Sequence, residues 1–246
     1  MTKNSFGLSQ DIPEAVKRAV RQHCGFRCVI CGVSIVEYEH VMPEFAKAKR
    51  HDPECITLLC PNCHARVTRN YLSKRRIREA MAKPKCRETG FSFSPFDIGS
   101  VPLLIKIAGL TLKNCPTPIR VREWSLIRVE QPEVEGGPYQ VSASFFDGSG
   151  NPSLFLEKNE WRIFSGQWDV EVVGGRIEFH SEPRVVALAL AFDPSNGIIV
   201  EKIDMYVMGY RFEGNADTLV ARTPDGGALS FTGCIADHCQ IGMQLG

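Results

Sequence analysis

The sequence has no run of the roughly 20 apolar residues that a bilayer-spanning helix needs. Its opening, MTKNSFGLSQDIPEA, lacks the hydrophobic segment of a secretory signal. No membrane partner is therefore expected, and the cytoplasm is the expected compartment. No fixed-period repeat runs through the chain, which disfavours a solenoid. Net charge is nearly absent as well, at +1. What is present is a globular composition: 246 residues, 43% hydrophobic and 23% charged, are enough for two domains with a core each. In a reducing compartment, ten cysteines read as metal ligands and free thiols rather than as a disulfide framework.

The small net charge conceals an imbalance. Residues 1–87 carry 17 Lys and Arg against 8 Asp and Glu, a surplus of +9, whereas residues 88–246 carry 12 against 20, a balance of −8. A basic N-terminal part suits a nucleic-acid contact, because phosphate neutralisation supplies most non-specific affinity. The bland alternative is a solvated charged face on a small helical module. The expected organisation is one domain over residues 1–82, a linker or packed strap over 83–100, and a β-rich domain over 101–246. The fold class is α+β: a small zinc-bound module, then a mainly antiparallel β domain, sandwich or barrel.

Asp11, followed by Ile12-Pro13-Glu14, predicts a helix start with Asp11 as the cap. Ala15, Val16, Ala19 and Val20 form an apolar stripe, Lys17, Arg18 and Arg21 point away from it, and Gly25 ends the helix. A tight turn between two short strands is expected around Cys28–Cys31 and again after Gly32, with Val33 to Val41 rich in β-branched residues. A second helix is expected from Pro61 through Val67, and a third, basic helix from Leu72 to Met81. Beyond residue 100 come β-type runs such as LLIKIAGLTL, RVVALALAF and GIIVEKIDMYVMGYRF, separated by turns that include Glu135-Gly136-Gly137 and Asp193-Pro194-Ser195-Asn196-Gly197.

Cys28-x-x-Cys31 and Cys60-x-x-Cys63 are two thiolate knuckles separated by a 28-residue insert. Two such tight turns can place four sulfurs about 2.3 Å from one ion, the shell of a structural Zn²⁺. That shell is closed, so such an ion holds the module together and catalyses nothing. Chemistry has to be sought in the insert, at Glu37-Tyr38-Glu39-His40-Val41-Met42-Pro43, and at His64, next to Cys63.

The order Cys-x-x-Cys, acidic-His-x-x-Pro, Leu-Cys-x-x-Cys-His resembles the zinc-stapled, four-cysteine branch of the HNH endonucleases. These are ββα-metal nucleases that include McrA-type restriction enzymes, and the resemblance covers about residues 12–80. It implies His40 as the general base that activates water, and Glu39 and His64 as ligands of a catalytic Mg²⁺ or Mn²⁺. The implied partner is double-stranded DNA and the implied role restriction or defence. An imidazole can take a proton from water, and a cation offsets the charge that builds on the phosphate. Because neighbouring strand residues face opposite sides, Glu39 and His40 require a bend or bulge to share one cleft.

The chain departs from the family in one place. Where the family has an asparagine five residues before the third zinc cysteine, Cys55 stands here, and Cys lacks the amide's two donors and carbonyl. Asn62, His51 or Asp52 are the candidate replacements. The basic residues Lys47, Lys49, Arg50, Arg66, Arg69, Lys74, Arg75 and Arg76 are expected to grip phosphates, some only as solubilising charge. The unrecognised β domain is expected to supply targeting, sensing or assembly, including a possible homodimer. A zinc-stabilised DNA-binding or regulatory protein with a degenerate nuclease centre is the rival reading.

Overall fold

The computed structural model describes residues 3–85, 87, 91–95, 103–133, 135, 137–164, 166–193 and 197–246. Much of the 83–100 linker (86, 88–90 and 96–100) lies outside the described residues. So do Gly136 and Pro194–Asn196 of the expected turns. The chain forms two compact units, Met1–Phe93 with Trp168–Val170, and Ser94–Gln167 with Glu171–Gly246. It is a mixed α+β protein, mostly strand, and no helix among the described residues is long and apolar enough to cross a membrane.

The first unit contains helix α1 (Glu14–Cys24), strands β1 (Glu37–His40) and β2 (Ile56–Leu59), and helices α2 (Pro61–Thr68) and α3 (Lys74–Ala82). Pro13, not Asp11, caps α1, and its carbonyl receives the amides of Val16 and Lys17 at 2.9 and 3.0 Å. Asp11 stands too early in the chain to reach the first free amides of the helix. Gly25 closes the helix at φ 67°. Val20 and Cys24 are buried and Ala15 is exposed. Arg21, expected to face outward, is 5% exposed, because Glu14, Tyr38 and Asp169 of the same unit all accept from its guanidinium.

The expected hairpin around Cys28–Cys31 is also displaced. There the backbone closes on itself, Gly32 N–H donating to the Cys28 carbonyl and Cys28 N–H to Val33, which leaves no free ladder for a strand. The two strands are instead β1 and β2, paired antiparallel from Glu37↔Leu59 to His40↔Ile56. All four residues of β2 are buried, and Val29 N–H binds Leu58 O at 3.1 Å, tying the first knuckle to that strand. A proline in the first turn starts α2, directly after Cys60. Ser73 caps α3 by accepting from Arg76 N–H, so that helix begins at Lys74 rather than Leu72. Val20, Cys24, Ile56, Leu58, Leu59, Val67, Ile77 and Met81 close the core around four of the cysteines.

A strand β3 covers Phe91–Pro95, inside the span read as a linker or strap. The remaining strands are β4 (Leu104–Ile107), β5 (Leu110–Lys113), β6 (Thr117–Val121), β7 (Trp124–Glu130), β8 (Gln140–Phe146), β9 (Pro152–Glu157), β10 (Glu160–Phe164), β11 (Asp169–Val173), β12 (Arg176–Glu182), β13 (Val185–Asp193), β14 (Gly197–Val207), β15 (Tyr210–Gly214), β16 (Thr218–Arg222), β17 (Ala228–Thr232), β18 (Cys234–Asp237) and β19 (Ile241–Leu245). One sheet has the order β19-β6-β7-β8-β9-β10-β3; the other runs β11 to β17 in sequence, with β4, β5 and β18 attached. Most pairs are antiparallel, but β4–β14, β5–β18 and β6–β19 are parallel. The long β14 makes the branch: Gly197–Val200 pair with β4, and Ile203–Val207 pair with β15. Burial alternates along β8, as it must for a sheet packed on one face. Trp161 of one sheet meets Phe192 of the other edge-on, their ring centroids 5.4 Å apart.

Candidate functional site

The sulfurs of Cys28, Cys31, Cys60 and Cys63 lie within 4.8 Å of one another. Cys31 is 3.6 Å from Cys60 and 3.8 Å from Cys63. A tetrahedron with arms of about 2.3 Å has edges of about 3.8 Å, so the cluster has the dimensions of a tetrathiolate shell and can hold a metal ion such as zinc. As bare thiols the four groups conflict. A hydrogen bond from Cys31 pulls Cys28 down to about 5, while burial and the neighbouring sulfurs push Cys63 up to about 12. A cation removes the conflict by taking all four as thiolates.

The second constellation begins one residue after Cys63. His64 Nε2 lies 3.1 Å from Glu39 Oε2, and its Nδ1 lies 3.1 Å from Glu37 Oε2. Glu37 and Glu39 are two apart on β1 and so share a face, which aims both carboxylates at the helix. Glu39, His40 and His64 line one cavity of about 430 Å³, with Tyr38, Phe45 and Lys74. The bulge expected to unite Glu39 with His40 is absent, since the β1–β2 register is continuous. His40 is instead the last residue of its strand, and the cavity wraps that end, taking Glu39 from one face and Tyr38 and His40 from the other. Burial lowers the His40 pKa, and the neighbouring His51 and Lys74 lower it further against an opposing pull from Glu39. The shift favours the neutral ring, whose free nitrogen can accept a proton.

Glu39 Oε2 and His64 Nε2 stand 3.1 Å apart, a hydrogen-bond distance that adjacent ligands of an octahedral ion, about 3.0 Å apart for arms of about 2.1 Å, would also show. His64 takes one oxygen of the Glu39 carboxylate. Lys74 takes the other, its Nζ donating to Glu39 Oε1 and, at 3.3 Å, to the His40 carbonyl. Lys74 is thus partly buried in the cavity. Lys47, Lys49, Arg50, Arg66, Arg69, Arg75 and Arg76 are all exposed.

An asparagine near the start of the chain braces the segment after His40. Asn4 Nδ2 donates to the carbonyls of Phe45 and Ala48 at 2.6 and 2.7 Å, and its Oδ1 accepts from the amides of Phe6 and Leu8. Every polar group of that side chain is satisfied, and the loop after His40 is pinned. Sequence reasoning missed Asn4, Glu37 and the contact of Lys74 with Glu39. The repeated acidic spacing of Glu37 and Glu39 was the available signal for one of them.

Elsewhere, Glu171, Glu178 and His180 also approach within 4.8 Å, but Arg176 pairs with Glu178 and neutralises it. Trp161 and Tyr210 are buried in the second unit whereas Trp124 and Tyr206 are exposed. Comparison with known protein families, with curated proteins and with solved structures finds no match for this chain.

Proposed function

We propose that the first unit is a metal-dependent endonuclease that hydrolyses phosphodiester bonds in double-stranded DNA. The observation that carries this reading is the 3.1 Å approach of Glu39 Oε2 to His64 Nε2 on the cavity that His40 lines. Cys28, Cys31, Cys60 and Cys63 would hold a structural Zn²⁺; Glu39 and His64 would hold Mg²⁺ or Mn²⁺. That second ion, when bound, supplies positive charge beside the phosphate and the departing oxygen. His40, whose burial favours the neutral ring, takes a proton from the attacking water. The loop that follows His40 is fixed by Asn4, which limits the loss of geometry that such catalysis tolerates poorly. The exposed basic side chains of this unit contact backbone phosphates, so the unit by itself cuts with little sequence preference. The acidic β unit supplies targeting or regulation, with restriction or defence as the setting and a homodimer as one form of assembly.

A second reading, a zinc-stabilised DNA-binding protein without catalysis, draws on one observation. The Lys74 ammonium already provides Glu39 with the positive charge that an ion would bring. Incubation of the chain with plasmid and Mg²⁺ or Mn²⁺, beside His40→Ala and His64→Ala, separates the two. Loss of a general base costs roughly 10²–10⁴-fold, so both variants should fall by at least about 100-fold. Cutting that survives His40→Ala removes the assigned base, and binding with no cutting by any form selects the second reading.

A further inference from the structure

His40 is held on several sides. The Phe45 ring lies 5.4 Å from it between centroids, and the His51 ring 5.3 Å away at 52°. The two imidazoles are joined through nitrogen, with His40 Nε2 3.2 Å from His51 Nδ1. The far nitrogen of His51, Nε2, lies 3.0 Å from the Ser9 carbonyl oxygen. Both ends of this chain are fixed. Asp52 Oδ1 accepts from Glu54 N–H and caps the turn that follows His51, while the Ser9 backbone pairs with Lys3. Asn4 Oδ1, bound to the amides of Phe6 and Leu8, shapes the intervening turn.

The chemistry of the terminus dictates the direction of the chain. A carbonyl oxygen only accepts, so the proton between Ser9 and His51 sits on His51 Nε2. A neutral imidazole with its proton there carries a lone pair on Nδ1, which can only accept. The proton between the two rings therefore belongs to His40 Nε2, and the lone pair of His40 is left on Nδ1. A doubly protonated His51 would reverse the last link and place the His40 proton on Nδ1.

We infer that His51 is a positioning residue for His40: linked to the Ser9 carbonyl, it fixes the His40 ring and its tautomer, leaving Nδ1 as the proton-accepting nitrogen. Its catalytic consequence rests on the nuclease reading of His40, whereas the tautomer itself does not. The His51–Ser9 link ties the base to the N-terminal segment, the same segment from which Asn4 holds the 45–48 loop. Together they meet the requirement that the absence of an asparagine at position 55 leaves open.

Long-range nitrogen–proton NMR correlation on the full, zinc-loaded chain with labelled histidine reads the tautomer directly. His40 should carry its proton on Nε2. His51→Phe, which keeps a flat ring and removes both nitrogens, should turn that signal into a tautomer mixture. It should lower kcat for plasmid cleavage by about 10- to 100-fold with KM changed less than about twofold, as outer-shell partners typically do. His51→Gln, whose amide oxygen can accept from His40 Nε2, should restore the tautomer and bring kcat to within about threefold of the parent. A His40 proton on Nδ1 in the parent chain overturns the inference, as does a tautomer unmoved by His51→Phe. A parent chain that does not cut, with His40 still protonated on Nε2, supports the His51 link and overturns the nuclease reading instead.

Discussion

Cys63 and His64 are neighbours on one helix but serve opposite environments. Cys63 is 4% exposed in a dry cluster of four sulfurs, while the His64 side chain is 36% exposed between two carboxylates on an open cavity. Successive residues on an α-helix point about 100° apart, so one turn of α2 addresses two sites that cannot merge. The sulfur cluster is closed, apolar around its rim and suited to holding structure. The cavity is accessible and edged by ionisable groups. What the pair teaches is the value of placing both on a single turn: whatever fixes the cysteines also fixes the angle of the imidazole.

This contrast is most strongly tested at the cluster. Cys60→Ser should abolish stoichiometric zinc and unfold the first unit, because a structural zinc site contributes about 10–16 kcal/mol to folding. Metal analysis and helical circular dichroism read this outcome, and a variant that keeps its helices without zinc would show that the core stands unaided. A smaller effect is expected at the brace. Asn4→Ala leaves the Phe45 and Ala48 carbonyls without their donor and should lower the stability of the first unit by about 1–3 kcal/mol with zinc retained, measured by denaturant titration. An unchanged midpoint would mean that water replaces the amide at no cost. The smallest effect concerns the cavity alone. Lys74→Met removes the cation that competes for Glu39 and should tighten Mn²⁺ binding roughly tenfold in calorimetry, since the pair is partly buried and only partly screened. Weaker binding would recast Lys74 as a support for Glu39 rather than a competitor.

The parts readable in advance were those whose cause is local. The knuckle spacing of Cys28, Cys31, Cys60 and Cys63 shows in the letters, because each Cys-x-x-Cys makes its own turn. The start of α2 at Pro61 and the end of α1 at Gly25 are likewise local, set by proline's fixed φ and glycine's positive φ. Local patterning failed where a distant partner intervened. Arg21 looks like a solvent-facing side chain by periodicity, yet three oxygen-bearing partners draw it inside. The strand pair went astray for the same reason: β1 finds its partner across a loop, not across the nearest turn.

The sequence by itself determined that four sulfurs would be available in two rigid pairs, that a basic module would precede a β-rich one, and where helices could start and stop. These follow from backbone preferences within a few residues of each other. Only the tertiary structure decided that Glu37 flanks His64, that Lys74 reaches Glu39 from 35 residues away, and that Ser9 orients His51 from 42. Such contacts join groups whose separation matches no helical or strand period. They exist because the buried core brings those segments together, and their geometry is a property of the packing alone.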